Sequence, residues 1–272
     1  MSVISEMLSY PFLVRAFVVG VLVSLCAALL GASLVLKRFS MIGDGLSHVG
    51  FGALAIASAL GVAPLAVAVP VVVVAAVLLL RVSQSGKVRG DAAVALISSG
   101  ALAVGVLVIS LTSGVNTNVS NYMFGSILTI SSSDAVLSVI LCAAVLVVFT
   151  LLYPRIFAVT FDETFARATG TKAEGYNMLL AILTAVTVVL GMRMMGALLI
   201  SSLIIFPALS AMRVFRSFRS VTVCSAVLAV VCFTLGMCLS YALETPSGAS
   251  VVAVNIFAFA GFALCGRLLR RR

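Results

Sequence analysis

Apolar runs of bilayer length, separated by short basic stretches, leave this chain few folds to adopt. A helix needs about 20 apolar residues to cross the hydrocarbon core of a membrane, within a range near 17–25. About nine runs meet that demand: 13–36, 45–62, 64–80, 92–112, 134–152, 176–191, 195–212, 221–242 and 250–268. Eight or ten are the neighbouring readings, because the runs within 176–212 are short and 191–196 can also be a break inside one longer element. The second and third runs are joined only through 61–64, which predicts a tight helical hairpin. Hydrophobic residues make up 63% of the chain and charged ones 9%, against roughly 45–50% and 25% in soluble domains. An ordinary globular enzyme is therefore excluded, and the expected fold is a single all-α polytopic membrane domain over 1–272.

The formal charge of +9 raises nucleic acid or an anionic membrane as a partner. Position decides for the membrane: no basic face with interleaved aromatics exists, so no nucleic acid is expected. Five clusters hold the cations: Lys37 and Arg38; Arg81, Lys87 and Arg89; Arg155, Arg167 and Lys172; Arg213, Arg216 and Arg219; and Arg267, Arg270, Arg271 and Arg272. Placing the N-terminus outside and the C-terminus in the cytoplasm puts fifteen of the seventeen on the inner side, leaving Arg15 and Arg193 elsewhere. The opposite loops, 112–121 and 244–248, carry no cation, and this bias is the property that sets orientation. Glu6 and Pro11 precede the first run with no cationic stretch leading into it, so that run is expected to stay as a span.

Against this background Met41-Ile42-Gly43-Asp44-Gly45-Leu46-Ser47-His48-Val49-Gly50 stands out. It holds the only histidine of 272 residues and one of eight carboxylates. Asp44 and His48, four apart, share one helix face with Cβ atoms about 5–6 Å apart. Ionisable residues at membrane depth are costly and are functional candidates by default. Imidazole and carboxylate together suit borderline divalent ions, so the pair is read as metal ligands on a transport path. One Asp and one His fall short of the four ligands of a closed zinc site, and a two-fold dimer would double them. The bland alternative is an Asp–His hydrogen bond that fixes helix packing. Ser47 is either a donor to the carboxylate or a packing serine, and Gly50 and Gly52 are read as packing positions.

Other polar residues carry plainer readings. Asp134, after three serines, reads as an N-cap. Glu244 lies at the expected outer mouth, either attracting cations or as a solvated loop acid. Arg193 either meets a partner or snorkels to the interface. The six cysteines all lie in apolar runs without a C-x-x-C pair and read as small hydrophobes. Met192, Met194 and Met195 lack companion Cys or His, so a copper path is disfavoured. The longest hydrophilic stretch, 153–177, suits a short helix with Asp162 and Glu163 in its first turn and Gly170 at its end. It is read as a loop or as a docking element for a cytoplasmic partner. No phosphate loop is present: Gly86-Lys87-Val88 follows Arg81 where glycine is required. An ATP-driven process would need another polypeptide, and this chain would be no enzyme.

Several stretches together resemble the permease subunits of bacterial metal-ion ABC transporters, which import zinc, manganese or iron. They are MIGDGLSHVGFGALAIA at 41–57, NYMFGSILTISSSD at 121–134, FDETFARATG at 161–170, GALLISSLIIFPALSA at 196–211 and LSYALETPSGASVVAV at 239–254. Asp44, Ser47 and His48 stand in the family's G-D-x-x-S-H pattern. The resemblance implies a plasma (inner) membrane permease working as a homodimer or paralogue heterodimer, with two cytoplasmic ATPases and an extracytoplasmic metal-binding protein. It implies a coupling segment at about 155–175, with Asp162, Glu163, Phe165, Arg167 and Gly170 seated in an ATPase cleft. No cofactor would be held permanently; Zn2+, Mn2+ or Fe2+ would be cargo. The competing readings are an ATP-independent proton-coupled carrier, against which the lack of internal repeats counts, and an ABC permease for a metal chelate such as haem or a siderophore.

Overall fold

A computed structural model describes residues 10–84, 90–112 and 132–270. Outside it lie Glu6, Lys87, Arg89, Arg271, Arg272, the cation-free stretch 113–121 and most of the motif at 121–134. The described chain forms eleven helices: α1 (Pro11–Leu36), α2 (Ile42–Ala59), α3 (Pro64–Gln84), α4 (Gly90–Leu111), α5 (Ser132–Leu151), α6 (Tyr153–Phe161), α7 (Glu163–Ala168), α8 (Ala173–Met195), α9 (Ala197–Val214), α10 (Phe218–Leu243) and α11 (Ser247–Arg270). Each of the nine apolar runs centres on its own long helix. The bounds differ by a few residues: 60–62 lie beyond α2, and Met195 ends α8 rather than opening α9. Among the described residues eight helices are long and apolar enough to cross a membrane. Helix α2 is the ninth long one, with 18 residues, and Asp44, Ser47, His48 and its glycines dilute its apolar character.

Local chemistry explains the ends. Pro11 opens α1, where a missing N–H costs nothing. Helix α1 stops at Lys37, with Arg38 left-handed at φ 62. Arg38 N–H donates to Val35 O, and Phe39 N–H to Leu34 O at 2.9 Å. Those two bonds form a Schellman stop. Gly61, at φ 65, closes α2 into the hairpin with α3. The break near 191–196 falls on Gly196 alone, at φ 89 and ψ 158, a conformation that only glycine adopts readily. The chain folds back there: a Cβ on Gly191 would lie 2.5 Å from Ile200 Cδ1.

Helix α1 packs against α5, α6, α8, α9 and α10, while α2 packs against α3, α4, α8 and α9. Helices α8 and α9 therefore join the two halves. Small residues allow the close approaches, as is usual where lipid removes the hydrophobic drive between helices. A Cβ on Gly31 would lie 2.0 Å from Ile204 O, and one on Gly52 would lie 2.7 Å from Ala101 O. Cys26 and Cys142 are buried in the core, with Cys26 Sγ 3.6 Å from Cys142 O.

Candidate functional site

Between residues 42 and 55 of α2, every residue is buried except Asp44 and His48. Their side chains are 45% and 24% exposed, and His48 Nε2 lies 3.7 Å from Asp44 Oδ2. The rest of the helix turn is packed, so these two side chains are the part of it that stays accessible. Asp44 sits in the first turn of α2, where the helix dipole favours a carboxylate. Its second oxygen has a partner from another helix: Ser201 Oγ of α9 donates to Asp44 Oδ1 at 3.2 Å. Ser47 is fully buried and donates to the main-chain carbonyl of Asp44 at 2.7 Å, not to the carboxylate. Ser201 had no sequence signal beyond its place in the run 196–211, because a contact across 157 residues leaves no local pattern. Among the described residues no third His, Cys, Asp or Glu joins the pair. One copy therefore offers one carboxylate and one imidazole.

The stretch between α5 and α8 folds as two short helices. Asp162 is the N-cap of α7, accepting Phe165 N–H at 2.9 Å, a bond that stabilises a helix start by about 1 kcal/mol. Gly170 follows the helix at φ 84, the left-handed stop that glycine takes without strain. Phe165 is 65% exposed and Phe161 73% exposed, so two large rings project from this segment. Glu163 is held from both sides. Arg167 Nη2 donates to its Oε1 at 2.7 Å, while Lys37 Nζ lies 3.3 Å and Asn177 Nδ2 3.1 Å from its Oε2. Lys37 Nζ also donates to Asn177 Oδ1. Burial works against the ionised carboxylate, yet the hydrogen bonds from Asn177 and Arg167, with the charge and hydrogen bond of Lys37, hold Glu163 below the ordinary glutamate range. Burial pushes the Lys37 ammonium below the usual lysine range.

At the other end of α8, Arg193 Nη2 pairs with Asp134 Oδ2 of α5 at 3.6 Å. Asp134 lies inside the first turn of α5 rather than at its cap, since the helix already starts at Ser132. Glu244 is exposed and forms the left-handed C-cap of α10 at φ 52, without an ion pair among the described residues.

A bundle with eight helices long and apolar enough to cross a membrane, among the described residues, defines the class as a polytopic membrane protein. Comparison with known proteins gives that class its family. The chain belongs to the ABC 3 transport family, which matches residues 9–265. It is 26% identical over 250 residues to the manganese import system permease protein ScaB of Streptococcus gordonii, covering 92% of this chain and 90% of that one. To the high-affinity zinc uptake system membrane protein ZnuB of Haemophilus influenzae it is 29% identical over 252 residues, covering 92% and 96%. Among solved structures it resembles PsaBC from Streptococcus pneumoniae in complex with Fab, with a TM-score of 0.84, 25% identity and 95% of each chain covered. Members of this family are transport subunits, and ATP hydrolysis resides in a separate subunit.

Proposed function

We propose that this chain is the permease subunit of an ATP-driven importer of a divalent transition metal ion, zinc or manganese, in a bacterial plasma membrane. The observation that carries the reading is the Asp44–His48 pair, open on a helix whose other residues at that level are buried. The relatives' names bring manganese and zinc to it; they give no such support to iron. A carboxylate and a neutral imidazole bind either ion, and two ligands per copy bind weakly enough to release it, as any conducting path requires. A second copy of the chain facing this pair with its own doubles the set to two Asp and two His. Ser201 orients the Asp44 carboxylate by holding Oδ1, which leaves Oδ2 for the ion and His48.

The distribution of Lys and Arg favours the N-terminus outside and the C-terminus in the cytoplasm. In that frame a metal-binding protein delivers the ion near Glu244, and ATPase subunits seat the α6–α7 segment, with Phe165 inserted and Asp162, Glu163, Arg167 and Gly170 fixing its shape. ATP binding and hydrolysis then alternate access to the pair. Membrane vesicles containing the assembled complex test this: uptake of zinc or manganese requires ATP and an intact ATPase. Uptake that persists without ATP, driven by a proton gradient, contradicts the reading and points to a carrier.

A further inference from the structure

We propose that Lys37 and Glu163 form the positioning pair that passes movement of α7 to the start of α2, and so to Asp44 and His48. This rests on the reading of α7 as the ATPase-docking element. Glu163 Oε2 meets Lys37 Nζ at 3.3 Å and Asn177 Nδ2 at 3.1 Å, so one carboxylate oxygen joins α7, α8 and the end of α1. Lys37 and Asn177 are nearly closed off from solvent, with 9% of the Lys37 side chain and 7% of Asn177 exposed. Asn177 is a neutral acceptor, so among the described residues Glu163 alone balances the Lys37 charge, and a buried ammonium parted from its counter-charge is strongly unfavourable. When α7 moves, Lys37 therefore moves with Glu163 rather than parting from it.

Lys37 is also rigidly joined to α2. It caps α1, the Schellman bonds of Arg38 and Phe39 fix the turn after it, and α2 starts at Ile42. Lys37, Phe39, Ile42 and Asn177 line one cavity of about 20 Å³, so the polar node lies directly against the first residue of α2. Asp44 is two residues further on. At the other oxygen of Glu163, Arg167 holds the carboxylate within α7 itself, at 2.7 Å.

The test measures metal transported per ATP hydrolysed, in proteoliposomes holding the full complex with its ATPase. Lys37→Met and Glu163→Gln keep shape and remove one charge each. Lys37→Met, which lies outside the docking segment, assembles with the ATPase and hydrolyses ATP; in both variants the ratio, counted only over ATP hydrolysed by assembled complex, falls by roughly 2- to 30-fold, the size of coupling effects along such networks. Lys37→Arg keeps the charge and retains the ratio. The double variant is no worse than the poorer single one, because both remove the same link. An unchanged ratio in Lys37→Met and Glu163→Gln, or losses that multiply in the double variant, overturns the proposal. Failure of the docking reading shows differently: the ATPase co-purifies undiminished with Phe165→Ala, whatever the ratio does.

Discussion

The replacement Gly31→Ala tests how the bundle holds Asp44 and His48, since its consequence can be worked from distances. A Cβ at position 31 of α1 would stand 2.0 Å from Ile204 O, 2.9 Å from Ile204 C and 3.2 Å from Ile204 Cα on α9. All three are backbone atoms, so no side chain can turn aside. Ordinary contact begins at 3.4 Å, and α1 and α9 must part by about 1.4 Å to reach it. Ile204 lies one turn from Ser201, whose Oγ is 3.2 Å from Asp44 Oδ1. A shift of that size carries the pair beyond hydrogen-bonding range. Overpacking of this kind costs about 1–3 kcal/mol, and a misplacement near 1 Å at a reacting group can cost about a hundredfold in rate. The expected result is a lower melting temperature for the purified permease and at least a tenfold loss of metal uptake, on the same scale. Gly100→Ala in α4 is the control: nothing stands within 4 Å of its Cβ, and removing a helix glycine stabilises by up to about 1 kcal/mol. A Gly31→Ala protein that melts and transports like the wild type would refute the close α1–α9 packing and the role given to Ser201.

Phe165→Ala is expected to abolish co-purification of the ATPase while leaving the membrane helices folded, as read by pull-down and circular dichroism; undiminished pull-down removes the docking role. Asp162→Ala deletes the α7 cap, so amide exchange at Phe165 should quicken in step with a local loss of about 1 kcal/mol; an unchanged rate shows that the cap is not made. Arg193→Met separates α8 from Asp134 on α5, and melting should fall by an amount equivalent to about 1–3 kcal/mol for a partly buried charged pair. Losses that simply add when Asp134→Asn is combined with it would show that the pair is not coupled.

Much of the bundle was legible because spans announce themselves by apolar length. All nine runs became long helices, and even the 61–64 hairpin and the glycine break after Met195 followed from residue type. The short helix α7 was legible from local chemistry too: Gly170 follows its end and Glu163 opens it as read, while Asp162, read in the first turn, is its N-cap. Asp44 and His48 stood out because ionisable residues are rare among apolar ones. Contacts between elements were not legible. Ser201 looked like any small residue in α9, and Lys37 like one more basic residue at a span end, until the fold set them beside Asp44 and Glu163. Asp134 was misplaced as a cap because the three serines before it blurred the helix start; it lies in the first turn and meets Arg193, one of the two cations that the charge bias had left elsewhere. Neither pairing follows from hydropathy or spacing, which report on one element at a time.

The central claim is that the ion passes by Asp44 and His48, and metal accumulation by cells carrying wild type or His48→Ala tests it most directly. The cells are offered zinc and manganese separately, with the amount of assembled complex checked in each. The account predicts that His48→Ala loses uptake of the transported ion while the complex stays intact, and the ion that is lost names the substrate. Accumulation of both ions at the wild-type level would contradict it and leave His48 as a residue that only packs α2.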